Sequence, residues 1–526
     1  MYIGLPLEIW ISVFEYLPRR TLRQTGLASK TLHIAACRLL YRSIRLTEQS
    51  PNLTATLELL EKNPSLARCI INAQLIFTGK LELQERWIAA LQSWEHLERL
   101  EIHGFPSWIL RQRRGFMKAV SALPIESLSI VPPENPPTTI SSPTDALDVE
   151  QSSSTIRRIA IRASARGGFF GTVMQITIGR KADTVDNAAT IFFVLQDWMN
   201  FLDPKAITHI TLRHGEGSQF HEPSFLHFFQ TEFPHLSHLQ IGVPFSSPFS
   251  PSHDLCTEVL SAFLAKTNTL VSLSLAEDRI LEPIGLSASP FSPASLSLIQ
   301  ELCCTPCQLR TLSDVPLRSL KHLRTLAISK SFQPDAQSGD HLVPPILRSI
   351  AARGRLERVK RVAYFSVGFN TGPLSRFENT SIYGSHDYGH AEVMSALGDL
   401  CPKATVVEGT FQVLDPTSVG KIQHSCVHTN NLNQNFYKDV FSPFPLAEEI
   451  VIYGRTREIL RSIPAGKAAL REFFENLTSV CPKARSFTLN KSMVDDGVDD
   501  YVFTLERDRE GALVRVTEEA YEQLPV

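Results

Sequence analysis

A short pattern recurs along most of this 526-residue chain: an aliphatic residue, two variable ones, an aliphatic, one variable, an aliphatic. It appears as Leu97-Leu100-Ile102, Ile125-Leu128-Ile130, Ile156-Ile159-Ile161 and Ile207-Ile210-Leu212. It returns as Leu236-Leu239-Ile241, Leu270-Leu273-Leu275 and Leu323-Leu326-Ile328. Looser copies are LARCII (Leu66 to Ile71), LERVKR, ATVVEG, AEEIVI and ARSFTL. Alternation about the middle residue is the mark of a half-buried strand. Many copies follow a helix-like stretch closed by a similar break, as in FFQTEFPHLSHLQI, ALGDLCPKATVV and NLTSVCPKARSFTL. The last two share Cys-Pro-Lys-Ala at Cys401 and Cys481, and the proline ends the helix before the strand. One such unit cannot bury its own apolar face, so neighbouring units must stack to make a core.

Helix plus short strand at repeated intervals is the signature of a leucine-rich-repeat solenoid. Middle residues fall at 100, 128 and 159, at 210, 239 and 273, and at 326 and 359. The intervals of 28 to 34 residues lie slightly above the usual ~20–29. Two longer intervals, of 51 and 53, must hold insertions or missed repeats. The expected fold class is α/β, with a curved parallel sheet inside and helices outside over residues 47–526. A Pro- and Ser-rich stretch at 131–154 reads as an insertion. The segments GVPFSSPFSPSH and SASPFSPAS read as loops between repeats. Hairpins are expected near Gly167-Gly168 and at 501–516, turning around Arg509 to Gly511.

The chain begins differently. In LPLEIWISVFEYLPRRTLRQ, Pro6 suits the first turn of a helix and Pro18 stops it. Ile9, Trp10, Val13, Phe14 and Leu17 then share one broad helical face. Thr21 with Gln24 has the form of a capping box, placing a second helix near Leu22. Ser29 can cap a third, in which Leu32, Ala35, Ala36, Leu39 and Leu40 recur at helical spacing. Three short helices this apolar have more hydrophobic surface than so small a bundle can hide, which marks a docking face.

Composition narrows the function classes. Net charge is −2, so a general electrostatic grip on nucleic acid or anionic lipid is not expected. No window reaches the ~18 consecutive apolar residues of a membrane span. Glu8 and Glu15 interrupt the first apolar run, which does not read as a signal peptide. Nine cysteines without a framework suit a reducing compartment, cytoplasm or nucleus, where the sequons at Asn52, Asn379 and Asn476 stay silent.

The residues Leu5-Pro6-x-Glu8-Ile9, Val13-Phe14-x-x-Leu17-Pro18, Leu22 and Leu27-x-Ser29-Lys30 resemble an F-box across 3–46. Two positions depart from that family: Thr21 stands where an acidic residue is frequent, and the tryptophan common in the third helix is replaced, with Leu32 nearby. The resemblance implies a three-helix module over 1–46 that docks on the Skp-type adaptor of a cullin–RING ubiquitin ligase. Leu5, Pro6, Ile9, Phe14, Leu17 and Leu22 would line that contact. With its repeats, the chain is similar to leucine-rich F-box proteins of the irregular kind abundant in fungi. It would be a non-catalytic receptor subunit whose solenoid holds a protein target. The alternative is a leucine-rich scaffold whose first helices only cap the repeats.

Residues flanking the middle aliphatic of each strand would face such a target: Arg99, Glu101, Arg158, His209, His238, Gln240 and Thr325. Enzyme signatures are missing: there is no G-x-S-x-G, P-loop, H-E-x-x-H or dinucleotide fingerprint. Cys304 and Cys307 have C-x-x-C spacing, but no second pair follows to complete a zinc site. His386, Asp387 and His390, and His424, Cys426 and His428, read as loop residues. Arg111, Arg113 and Arg114 read as a solvated helix face. No catalytic residue, metal or cofactor is expected.

Overall fold

A computed structural model of the chain describes residues 6–48, 50–77, 89–103, 120, 122–131, 158–162, 203–213, 228–242, 251–275, 285–292, 295–314, 320–329, 339–365, 387–410, 438–453, 467–490, 500–507 and 513–521. Contacts divide it into two units, residues 1–246 and 247–524.

The first unit opens with α1 (Leu7–Phe14), α2 (Arg19–Thr25) and α3 (Lys30–Leu40). Pro6 and Pro18 stand immediately before α1 and α2, where a missing N–H costs nothing. The second helix therefore starts at Arg19, and the Thr21/Gln24 capping box is not used: Thr21 lies inside α2 and its carbonyl accepts from Thr25 Oγ1. Ser29 does cap α3, its hydroxyl accepting from Leu32 N at 3.2 Å. Phe14, Leu22, Ala35 and Ala36 form the bundle core, with Leu7, Trp10, Ile11, Leu17, Leu32, Leu39 and Leu40 packed around it. Gly26 ends α2 so close to α3 that an added Cβ would lie 3.1 Å from Ala36 Cβ.

Seven parallel strands follow in chain order. They are β1 (Ser43–Thr47), β2 (Asn72–Ile76), β3 (Arg99–His103), β4 (Ser127–Val131), β5 (Arg158–Arg162), β6 (His209–Arg213) and β7 (His238–Gly242). Helices α4 (Leu53–Lys62) and α5 (Pro64–Ala67) lie between β1 and β2 in the chain. The sheet thus begins at Ser43, so the expected module boundary at 46 falls inside β1.

The second unit repeats the scheme with β8 (Ser272–Ser274), β9 (Glu301–Cys304), β10 (Thr325–Ser329), β11 (Arg361–Phe365), β12 (Val406–Thr410), β13 (Glu449–Tyr453) and β14 (Ser486–Asn490), each parallel to the next. Among its helices are α6 (Pro251–Lys266), α7 (Pro306–Asp314), α8 (Gly339–Arg353), α9 (Asp387–Leu400) and α10 (Lys467–Val480). β15 (Asp500–Arg507) and β16 (Leu513–Tyr521) close it as an antiparallel hairpin paired to β14. This is the hairpin expected at 501–516, a few residues longer.

The repeat is deeper than the six-residue pattern. Three residues before the pattern's first aliphatic sits another buried group, joined to it by a backbone turn. Leu97 N donates to Trp94 O, Leu236 N to Phe233 O, Val359 N to Leu356 O, and Ala484 N to Cys481 O. All eight residues are buried. Proline follows the first member at Pro234, Pro402, Pro445 and Pro482, which ends the preceding helix and starts the turn. Successive repeats are then clamped: one carbonyl accepts two consecutive amides of the next unit. Ile71 O accepts from Glu98 N and Arg99 N, Glu98 O from Glu126 N and Ser127 N, and Lys360 O from Thr405 N and Val406 N, at 2.8–3.0 Å.

This longer motif explains where the simple pattern misplaced strands. Aliphatics three apart occur twice per repeat, so a match can lock on to the turn. LERVKR is such a match; the strand is β11, centred on Val362 rather than Val359. LARCII falls on α5 and the turn, and the true copy is Ile70-Ala73-Leu75 in β2. The 53-residue gap holds a missed strand, β9; Leu302 and Cys304 within it and Ile299 just before it are buried as the pattern requires. The 51-residue gap does not, because Ile159 pairs directly with Ile210. The hairpin expected at Gly167-Gly168 and residues 132–154 of the insertion lie outside the described residues.

Candidate interaction surfaces

The first surface belongs to the helical bundle. Trp10 and Phe14 turn inward, ring centroids 5.8 Å apart, and Phe14 and Leu22 are only 2% and 5% exposed. These two expected adaptor contacts are core residues of the bundle itself. Burial against α2 and α3 takes the aromatic first, so Phe14 and Leu22 shape the face from behind without presenting a surface. Pro6 is exposed and Leu17 half-buried, while Leu5 lies outside the described residues. What does face solvent is Ile9, one turn before Val13 on α1, each 47% exposed. Tyr16, Leu27 and Ile34 are exposed as well. Five of the eight large exposed apolar residues described thus fall within residues 9–34. Val13 shared the helical face read from the sequence; Tyr16, Leu27 and Ile34 were missed, because periodicity cannot tell which edge of a broad apolar face the neighbours cover.

The second surface is the outward row of β1–β7. Strand alternation sends Leu100 and Ile102 into the core and leaves Arg99, Glu101 and His103 on the opposite face. Glu101 Oε1 lies 2.7 Å from His103 Nε2, which is also 2.9 Å from Gln74 Nε2 on β2. Nε2 holds one proton or one lone pair, so its donation to the carboxylate requires the Gln74 amide to turn its oxygen inward. His103 was not among the expected residues, although it stands two residues beyond Glu101 on the same face.

In register with Arg99 stand Arg158, His209 and His238. The rings of His209 and His238 stack with centroids 4.0 Å apart and 9° between planes. Ser237 Oγ donates to Thr208 O at 3.0 Å and lies 2.8 Å from His238 Nδ1. With its proton used, that hydroxyl accepts from His238 Nδ1–H. Gln240 follows on the same face of β7. Thr325 stands apart from this group, on β10 of the second unit between Glu301 and Arg361. There Glu408, on the adjoining row, is largely buried and paired with Arg361 Nε at 3.2 Å.

The C-x-x-C candidate resolves into structure. Thr305 caps α7 reciprocally: Gln308 N donates to its hydroxyl at 3.3 Å, and Thr305 N donates to Gln308 Oε1 at 2.8 Å. Thr-Pro-Cys-Gln is therefore a working capping box with proline in the first turn. It places Cys307 outward while Cys304 points into the core. Burial, with Cys303 adjoining, pushes the Cys304 thiol well above its ordinary pKa. Among the described residues, no three His, Cys, Asp or Glu converge as metal ligands. His386, His424, Cys426, His428, Arg111, Arg113 and Arg114 lie outside them, and Asp387 and His390 are placed only as residues of α9. No described helix is long and apolar enough to cross a membrane.

No protein-family model matches the chain, and no curated protein is detectably similar to it in sequence.

Proposed function

We propose that this chain is the substrate-recognition subunit of an Skp–cullin–F-box ubiquitin ligase. The three-helix bundle is an F-box that docks an Skp-type adaptor, and the stacked units are leucine-rich repeats that hold a protein target on their strands. The observation that carries this reading is the exposure of Ile9, Val13, Tyr16, Leu27 and Ile34 on a bundle whose own core is already filled. Large apolar residues left exposed in such number on so small a bundle favour a protein partner. The chain itself performs no chemistry in this role. It raises the effective concentration of a target beside a charged ubiquitin carrier. Its compartment is cytoplasm or nucleus, consistent with eight described cysteines that form no disulfide.

Co-purification of the tagged full chain with an Skp-type adaptor tests the reading, beside an Ile9→Asp/Val13→Asp variant. The wild type is expected to retain the adaptor and the variant to lose at least tenfold, with unchanged circular dichroism. Phe14 is left intact, since a charge there would unfold the bundle and prove nothing. A folded wild type that ignores the adaptor would leave a repeat scaffold with a helical cap.

A further inference from the structure

We propose that the outward face of β1–β7 receives an extended, acidic segment of the target protein. This names the target class of the receptor reading and rests on it. Parallel register puts Arg45 on the middle row with Glu101, Arg99 and Arg158 on the first row, and Arg162 and Arg213 on the third. Arg45 and Arg99 thus stand exposed on these rows with one acid, Glu101, which is already turned to His103, and Arg158, Arg162 and Arg213 occupy register positions on the same rows. Arg45 and Arg99 are exposed and form no ion pair with a described residue. The basic character is local, because the whole chain carries a net charge of −2. The equivalent rows of β8–β14 hold Glu301, Glu408 and Glu449 against Arg361.

Strands lie about 4.8 Å apart, so seven of them span roughly 29 Å, the reach of an extended segment of about nine residues. Guanidinium groups suit carboxylate and phosphate oxygens alike, since their planar fork donates two parallel hydrogen bonds. The polar neighbours Gln74, Gln240, His209 and His238 add donors and acceptors along the same path. A nucleic-acid strand fits less well: bases need stacking platforms, and the outward rows of β1–β7 carry no Phe, Tyr or Trp.

The test uses the purified full chain without any adaptor, so its failure is read separately from failure of adaptor docking. Fluorescence anisotropy follows a labelled twelve-residue Glu/Ser peptide, its phosphoserine form, a Gln/Ser control, a four-residue Glu/Ser peptide and a single-stranded oligonucleotide. The long acidic peptides are expected to bind at least tenfold more tightly than the neutral and short ones, and to weaken with salt. Binding of the phosphorylated form alone supports the proposal and assigns phosphate as the recognised group. Arg45→Glu/Arg99→Glu should lose tenfold or more. Arg310→Glu/Lys321→Glu, which changes net charge equally at exposed positions of the second unit, should lose less than twofold. Equal binding of acidic and neutral peptides, equal losses in the two variants, or preference for the oligonucleotide would overturn it.

Discussion

Position 398 has room for hydrogen and nothing more. A Cβ added to this glycine of α9 would lie 2.5 Å from Pro443 Cβ and 2.8 Å from the Pro443 carbonyl oxygen. Alanine gains about 1 kcal/mol of helix propensity over glycine, but backbone cannot yield as a flexible side chain can. Overpacking of this kind costs about 1–3 kcal/mol. Gly398→Ala is therefore expected to lower the urea midpoint, and an unchanged midpoint would show that residue 443 gives way. The cysteines offer a second residue-scale reading. Burial raises the thiol pKa of Cys304 and Cys401, so the thiolate that reacts is scarce at pH 8 as well as shielded. Cys307 is exposed. Iodoacetamide on the folded chain should label Cys307 well before Cys256, Cys304, Cys401 and Cys481, which wait until denaturant is added; peptide mapping reads the order. Labelling of Cys401 in the folded chain would contradict it. Cys481 shows why so small a thiol fits its turn: its Sγ donates to Phe441 O at 3.4 Å and Phe444 O at 3.6 Å, tying one repeat to the previous one.

Among the elements, the β15–β16 hairpin has the clearest task. Phe503 of β15 is buried and pairs with Phe487 of β14, and its ring centroid lies 5.3 Å from that of Phe474 on α10. A parallel stack without such a cover offers a row of open amides and carbonyls to other chains. Removing residues 500–526 should uncover both the β14 edge and the aromatic cluster, and light scattering should rise on warming well below the intact chain's transition. A truncated chain that stays monodisperse would mean that another element protects the edge. Helix α7 shows how sequence signals mislead at this scale. Thr21/Gln24 and Thr305/Gln308 share a spacing, yet only the second pair caps a helix. Pro18 had already fixed the start of α2 two residues earlier, which put Thr21 inside the helix.

On the scale of the whole molecule, each unit is a stack of nearest-neighbour contacts, so its stability grows repeat by repeat. Insertions between β4 and β5, and between β5 and β6, do not break the stack, because the paired strands stay in register across them. Closing a longer loop costs only about 0.6 kcal/mol per doubling, and each buried leucine returns about 1.5–3 kcal/mol. That imbalance lets intervals vary without loss of the fold. The same tolerance hid β9, because a repeat ending in Cys-Cys lacks the aliphatic signal though Cys304 packs as one.

Hydrophobic period located most of the strands and their inward residues, because alternation in sequence is alternation in space; β2, β9 and β11 escaped it or were shifted. Pro6, Pro18 and Ser29 marked the first and third helices for an equally local reason, whereas Thr21/Gln24 placed the start of the second too late. The amino-acid order alone could not separate the packed edge of α1 from its open one, nor show that Phe14 and Leu22 serve the core while Ile9 and Val13 face outward. That choice depends on which helices lie alongside. Nor could it gather arginines spread from 45 to 213 on to one face, since strand register across 169 residues is set by the clamps and turns between repeats. Local chemistry wrote the repeat; tertiary register made a surface of it.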